Sequence, residues 1–282
     1  MYARPADLAE ALRLLAEPNA RVLAGATDIF PATGERPLSG RYVDVTALAA
    51  LRGISVEGDW IRIGAAATWT DITKADLPPA FNALRAAARE IGGVQIQNRG
   101  TIAGNLCNAS PAADGVPPLI ILDAEVELVS VRGRRRLPVS GFIAGNRRTA
   151  LRRDEIMTAI FARQPPPTAR STFLKLGARR YLVISIVMVA VLLDIVDGKV
   201  CGVRVAAGAC SAAAKRLHEV ERRLLAAPAQ AGLGNRIRVE DLAALSPIDD
   251  LRASAEYRRD AALSLVRRAV ECCLNAEAGG VC

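Results

Sequence analysis

Residues 99–114 read RGTIAGNLCNASPAAD, and the reading of this stretch decides the fold. It holds Thr101, Gly104, Asn105, Asn108, Ser110 and Asp114, opens on one Arg, and contains neither Lys nor His. Small hydrogen-bonding residues at this density let a backbone come close to a ligand or to another segment. The pair Gly92-Gly93 lies upstream, and the apolar run PPLIIL (117–122) follows. A second stretch of the same texture, LAGATDIF, covers 23–30. Each is expected to follow a strand: RVLAG (21–25) in one case, an extended VQIQ (94–97) in the other.

A glycine-containing turn can aim successive backbone N–H groups at one oxyanion, and Thr hydroxyls add donors. Two such loops suit a diphosphate, whose oxygens need many donors at short range. Neither loop is G-x-G-x-x-G or G-x-x-x-x-G-K-[ST], so a nucleotide held here is held differently from a Rossmann or P-loop ligand. Taken singly, the residues have plainer readings. Asp28 and Asp114 each precede an apolar run and read equally as helix N-caps. Cys107 reads equally as a small core residue, and Lys175 as a solvated strand residue.

Working outward, Leu8, Leu12 and Leu15 have helical spacing, and Pro18-Asn19 ends that helix. YVDV (42–45) alternates as a strand, and ISVEGDWIRIG (54–64) reads as a hairpin. Residues 78–91 start on Pro, are rich in Ala, Leu and Arg, and stop at the Gly pair, which predicts a helix. PPLIIL predicts a short helix, and EVELVSV (125–131) a strand turned back by RGRRRLPV. QPPPTAR (164–170) is the clearest boundary, because consecutive prolines join neither a helix nor a central strand. Beyond it, LVISIVMVAVLL (182–193) reads as a buried element and 194–208 as strand, Asp-Gly turn, strand. Helices are expected over 212–226 and roughly 254–276. The pattern is α+β in two domains, 1–166 and 167–282.

Composition narrows the function. The chain has 282 residues, 51% hydrophobic and 23% charged, which is globular and fits about two domains by length. Aromatics are 4%, so the core is built from Ala, Val, Leu and Ile. The net charge of +8 is spread among scattered Arg residues; the one cluster, RGRRR (132–136), lacks interleaved aromatics for base stacking. Nucleic acid is therefore not the expected partner, and the charge serves solubility or docking to acidic protein subunits. Cys107, Cys201, Cys210, Cys272, Cys273 and Cys282 show no C-x-x-C spacing, which argues against a zinc ribbon or iron–sulfur cluster in this chain. Cys272-Cys273 reads as a helix packing position. The only histidine, His218, sits among charges on an expected helix, so a Ser-His-Asp triad or multi-His metal site is hard to build. The N-terminus reads as an amphipathic helix without an apolar signal core, and the 182–193 run is too short to span a bilayer. A cytoplasmic location is expected.

Four motifs in order carry a resemblance. A-G-A-T-D (24–28), R-G-T-I-A-G-N with N-A-S-P-A-A-D (99–114), F-L-K-L-G-A-R-R (173–180) and S-P-I-D-D-L-R-A-S-A-E-Y-R-R (246–259) resemble the FAD-binding subunits of molybdenum hydroxylases, the xanthine dehydrogenase and aerobic carbon monoxide dehydrogenase family. The resemblance runs along nearly the whole chain. It implies a PCMH-type, vanillyl-alcohol-oxidase-like FAD-binding domain, then a smaller α+β domain with an antiparallel sheet. Leu23, Ala24, Gly25, Ala26, Thr27, Asp28, Ile29 and Phe30 would wrap the FAD diphosphate from one side. Thr101, Ile102, Ala103, Gly104 and Asn105 would wrap it from the other. Ser110 and Asp114 would bind further along, Asp114 at a sugar or ribityl hydroxyl. Met157 would touch the flavin half, Lys175 would reach the flavin ring, and Tyr181 would shield it. No catalytic acid, base or metal ligand is implied in this chain.

The implied reaction is electron transfer, with the chemistry carried by the cofactor. A large molybdopterin subunit would hydroxylate the substrate, and [2Fe–2S] clusters on a small subunit would feed this FAD, which passes electrons to NAD⁺, O₂ or another acceptor. The assembly would be a heterotrimer or its dimer. Two departures bear on this. The family often has A-G-G-T-D and I-G-G-N, where this chain has Ala26 and Ala103. If those positions need φ > 0, Ala costs roughly 1–2 kcal/mol. Two alternatives follow: an assembly subunit that has lost FAD, or a self-contained flavin oxidase of the same fold. One His and four Tyr speak against the oxidase.

Overall fold

The computed structural model describes residues 1–275; residue 276 of the expected last helix, and Cys282, lie outside the described residues. Helix α1 (Leu8–Leu15) is capped by the Asp7 carboxylate, which accepts from the Glu10 N–H at 2.8 Å. Its buried face, Ala11, Leu12 and Leu15, packs on a three-stranded parallel sheet. The strands are β1 (Tyr2–Ala3), β2 (Ala20–Leu23) and β3 (Arg41–Asp44), in the order β1-β3-β2. The loop after β2 is the first small-residue loop, and short α2 (Ile29–Thr33) follows it.

A five-stranded antiparallel sheet is the second layer. It contains β4 (Ile54–Glu57), β5 (Trp60–Gly64), β6 (Glu125–Ser130), β7 (Gly133–Pro138) and β10 (Ile156–Arg163), in the order β4-β5-β10-β6-β7. One face buries Ile61, Ile63, Val126, Leu128 and Ile160. The helices α3 (Trp69–Lys74), α4 (Asn82–Glu90), α6 (Ile102–Asn108) and α7 (Val116–Ile121) pack into that core. The opposite face is charged, with the Arg136 guanidinium 3.5 Å from the Phe161 ring centroid. Between β7 and β10 lie α8 (Val139–Phe142) and a small hairpin, β8 (Ile143–Gly145) with β9 (Arg148–Thr149).

The third sheet is antiparallel, in the order β11-β12-β13-β14: β11 (Ala169–Leu176), β12 (Val187–Val196), β13 (Lys199–Gly208) and β14 (Lys215–Arg216). Strand β12 is covered on both faces. Met188, Ala190 and Leu192 face the first core, while Val187, Val189, Val191 and Leu193 face a second core with α9 (His218–Leu224) and α10 (Ala255–Asn275). This double burial explains a continuous apolar run where a one-sided strand would alternate. Buried Ser171 joins the sheet to the first core: its Oγ accepts from the Ala83 N–H at 2.8 Å and donates to the Ala80 carbonyl at 2.7 Å. Arg258, on α10, is 3% exposed. It donates to the Ile186 and Ala209 carbonyls at 2.7 and 3.0 Å and to Asp250 Oδ1 at 2.7 Å. The fourth sequence motif thus ties α10 to its sheet. Cys273 is buried on α10, as a packing residue should be, with its Sγ 3.2 Å from the Arg170 carbonyl.

Three expected elements differ. VQIQ is not extended: it forms the short helix α5 (Val94–Gln97), closed by Gln97 N–H to Gly93 O and Asn98 N–H to Val94 O, both 2.9 Å. The second small-residue stretch therefore follows a helix, and its own centre is α6. The apolar run is buried only from Ser185 onward; Leu182 and Ile184 are exposed, and β12 starts at Val187. The helix expected over 212–226 is confined to His218–Leu224, because Lys215–Arg216 pair with Ala206–Ala207 as an edge strand. Among the described residues, no helix is long and apolar enough to cross a membrane.

Candidate cofactor site

A cavity of about 910 Å³ is walled by residues drawn from 15–29, 100–113 and 147–157, with Ile91, Ile96 and Ile184 among the rest of its lining. It runs along β2, from the Pro18-Asn19 turn at one end to the first loop at the other.

The two small-residue segments touch backbone to backbone. A Cβ on Gly25 would lie 1.9 Å from the Arg99 carbonyl oxygen, which only glycine permits. Trp69 is the wedge behind them. It is 1% exposed, donates its backbone N–H to Gly100 O at 3.2 Å, and fills the space beside Gly100 and Gly115. A Cβ on Gly115 would lie 2.5 Å from its ring.

The segments then differ in what they present. In the first, the backbone N–H groups of Gly25, Ala26, Thr27 and Asp28 find no acceptor among the described residues. Ala26 has φ of 59°, and its carbonyl accepts from the Ile29 and Phe30 N–H groups at 3.1 and 3.2 Å, which pins the turn. Successive open N–H groups around a left-handed residue make an anion-binding nest. In the second segment the N–H groups of residues 102–105 are spent. Ile102 and Ala103 donate to Ala67 O and Ala65 O at 3.0 and 3.3 Å. Gly104 donates to the Thr101 hydroxyl at 3.0 Å, and Asn105 to Thr101 O at 3.1 Å. Thr101 is the N-cap of α6, and Ala103 has ordinary helical backbone. This segment presents side chains to the cavity, among them Asn105, whose Oδ1 is buried with no hydrogen-bond partner among the described residues. That orphan carbonyl invites a donor from a ligand.

Of the residues singled out from sequence, Ala24, Gly25, Ala26, Thr27, Asp28, Ile29, Thr101, Ala103, Gly104, Asn105, Ser110 and Met157 line the cavity. Leu23 ends β2 with its side chain in the core, Ile102, the first residue of α6, is fully buried, and Phe30 is 56% exposed on α2. Asp114 and Lys175 meet each other outside the cavity lining, with Nζ 2.6 Å from Oδ2. Ser185 Oγ donates to Asp114 Oδ1 at 2.5 Å, and Lys175 also donates to the Glu90 carbonyl at 3.3 Å. Burial raises the Asp114 carboxyl above its ordinary value, and the Lys175 charge and the two side-chain hydrogen bonds oppose that rise. Tyr181 is 68% exposed, with the Arg180 guanidinium 5.5 Å from its ring centroid.

Residues not singled out complete the walls. Asn108 and Arg147 line the cavity and are hydrogen-bonded to each other, and Glu155 lines it while held by Arg135 at 2.7 and 2.8 Å. Asn108 stood within the opening motif, but nothing in Asn146-Arg147 distinguished it from a surface turn. Burial pushes the cavity-facing Cys107 up to about 12, so it stays a neutral thiol. No cluster of metal-ligating side chains occurs among the described residues. A long cavity, an open N–H nest, a neutral thiol and an orphan carbonyl fit an extended anionic dinucleotide cofactor.

The comparisons agree. Residues 1–162 match the family described as FAD binding domain in molybdopterin dehydrogenase, and 172–273 match the CO dehydrogenase flavoprotein C-terminal domain. The chain is 35% identical to a putative xanthine dehydrogenase FAD-binding subunit of Escherichia coli, covering 99% of this chain and 97% of that one. It is 29% identical to the carbon monoxide dehydrogenase medium chain of Hydrogenophaga pseudoflava, over 95% of each. The solved carbon monoxide dehydrogenase of that organism superposes with a TM-score of 0.88 at 28% identity, covering 96% of both chains. With cavity, nest and both halves of the chain accounted for, this protein belongs to the FAD-binding medium subunits of the xanthine dehydrogenase and carbon monoxide dehydrogenase family, oxidoreductase components that carry FAD.

Proposed function

We propose that this chain is the electron-transfer flavin subunit of a molybdenum hydroxylase, with the FAD diphosphate seated on the open N–H groups of Gly25, Ala26, Thr27 and Asp28. Those unpartnered donors are the observation that carries the reading. They supply partial positive charge without a resident cation, so the diphosphate is held by geometry as much as by charge. Asn105 Oδ1 accepts a hydrogen bond from the cofactor, and Thr101 and Gly104 keep α6 close beside it. Ser110 and Met157 line the cofactor further along. Lys175 and Asp114 act as a buried pair behind the flavin half, and Tyr181 and Ile184 bound its outer side. The division between the FAD-binding part and the C-terminal part lies at 166/167, within the proline run.

Held by these residues, FAD would supply redox chemistry able to couple one-electron and two-electron partners. In the assembly we propose, a large molybdopterin subunit and a small [2Fe–2S] subunit join this chain in a cytoplasmic heterotrimer or its dimer, and NAD⁺ or another acceptor is reduced. The protein positions and shields; no side chain here transfers a proton to the hydroxylated substrate. Titration of the flavin-free chain with FAD and with riboflavin tests the reading by flavin fluorescence quenching. FAD should saturate at one per chain and bind at least a hundredfold more tightly than riboflavin, which lacks the diphosphate. Equal affinities would remove the nest from the account.

A further inference from the structure

One polar chain crosses the cavity wall and is not explained by the nest. Asn108 Nδ2 donates to Asp28 Oδ1 at 2.8 Å, and the Arg147 guanidinium donates to Asn108 Oδ1 and, at 3.3 Å, to its backbone carbonyl. All three residues line the cavity. They come from three separate elements: the nest loop, the end of α6 and the β8–β9 turn. The far end is built with care. Arg147 has φ of 56° and Ala109 φ of 46°, and the Arg147 N–H donates to the Ala109 carbonyl at 2.8 Å. Two non-glycine residues thus hold disfavoured left-handed backbone at one joint, which fixes where the guanidinium starts.

We infer that Asp28, Asn108 and Arg147 form a clasp over the diphosphate stretch of the cavity, with Arg147 supplying the counter-charge that retains FAD and Asn108 aiming it. This rests on the cofactor reading above. The nest itself carries no full charge, whereas a diphosphate does. Among the cavity-lining cations, Arg147 is the one hydrogen-bonded through Asn108 to the nest loop. The neutral carboxamide keeps Asp28 and Arg147 in one chain without letting them neutralise each other directly. A fork of guanidinium donors then remains for phosphate oxygens. Arg147 and Asn108 are positioning residues for the cofactor.

The test is FAD release from the flavin-loaded full chain, followed as fluorescence recovery on dilution. Arg147→Ala and Asn108→Ala should each speed release about tenfold, and the double variant should release no faster than the faster single, because both remove the same clasp. Arg147→Lys should fall between, keeping charge but losing the fork. Raising ionic strength should speed release from the wild type and leave Arg147→Ala nearly unchanged. Multiplying effects in the double variant, or wild-type release from Arg147→Ala, would overturn the clasp while leaving the cofactor reading intact. If the loss were merely structural, urea midpoints would fall with release rate unchanged in the Lys variant, and the clasp would again be wrong. Failure of the wild type to bind FAD would defeat the cofactor reading itself, and the clasp with it.

Discussion

The two alanines that replace family glycines make opposite predictions, and the contrast is quantitative. Ala26 sits at φ of 59°, locked by the two hydrogen bonds its carbonyl accepts. A left-handed alanine costs roughly 1–2 kcal/mol that glycine does not incur. Replacing it by Gly also frees the unfolded chain, which takes back about 0.4–1 kcal/mol. Ala26→Gly should therefore stabilise the chain by about 0.5–1 kcal/mol. Ala103 lies in the first turn of α6 with ordinary helical backbone, 8% exposed. Gly there loses about 0.8 kcal/mol of buried methyl and up to about 1 kcal/mol of helix preference, so Ala103→Gly should destabilise by about 1–2 kcal/mol. Urea unfolding of the flavin-free chain measures both, and the midpoints should move in opposite directions. In FAD titrations Ala26→Gly should hold affinity within about threefold, since the open N–H groups keep their directions. Movement of both midpoints in the same direction would refute the backbone argument.

Four further outcomes follow from the geometry. Gly25→Ala should destabilise by about 1–3 kcal/mol and abolish stoichiometric FAD binding, because its Cβ meets a backbone oxygen that cannot step aside; a flavin titration reads the loss. Asp114→Asn should cost about 3 kcal/mol in urea unfolding by leaving buried Lys175 unpaired, and adding Lys175→Met should restore most of it. Asp250→Asn should cost about 3 kcal/mol by the same logic at buried Arg258. Burial works against ionised Asp250, but hydrogen bonds from the Arg252 and Ala253 N–H groups and from Arg258 outweigh it and pull the carboxyl to about 2. Its folded value lies below its unfolded one, so its contribution is full above the ordinary carboxylate range and should vanish between about pH 4 and pH 2 in acid-unfolding curves, with the Asp250→Asn curve lacking that loss.

Much of this was legible in the sequence because local chemistry and tertiary placement agreed. The hairpin β4–β5 and strand β6 carried alternation around turn residues, β12–β13 carried an Asp-Gly turn between strands, and α10 carried helical spacing. Where they disagreed, reading failed. VQIQ alternates like a strand, but Val94 and Ile96 are exposed and no sheet edge reaches them, so i→i+4 bonds close a helix turn instead. The Ala-Ala-Ala-Lys run at 212–215 has helical preference, yet β13 captures Lys215–Arg216 as an edge strand. In the site, glycines marked the close contact of two loops, because steric need leaves a residue signature. That one loop keeps its N–H groups free, while residues 102–105 of the other spend theirs on the Ala65 and Ala67 carbonyls and on the start of α6, leaves none. Arg147 reads as one more surface arginine until the β8–β9 turn delivers it to Asn108. Arg258 stood only within the fourth motif, and nothing in its helical context marked it as a residue buried to 3% exposure.

The most direct test of the central claim is electron delivery to this chain. The FAD-loaded protein would be mixed anaerobically with a chemically reduced iron–sulfur partner subunit, freed of excess reductant, while flavin absorbance is followed. Bleaching of one FAD per chain, lost in Gly25→Ala together with the flavin, is the result the account predicts. A chain that takes up no FAD, or whose bound FAD stays oxidised while the partner's clusters remain reduced, would contradict it and make this protein an assembly subunit.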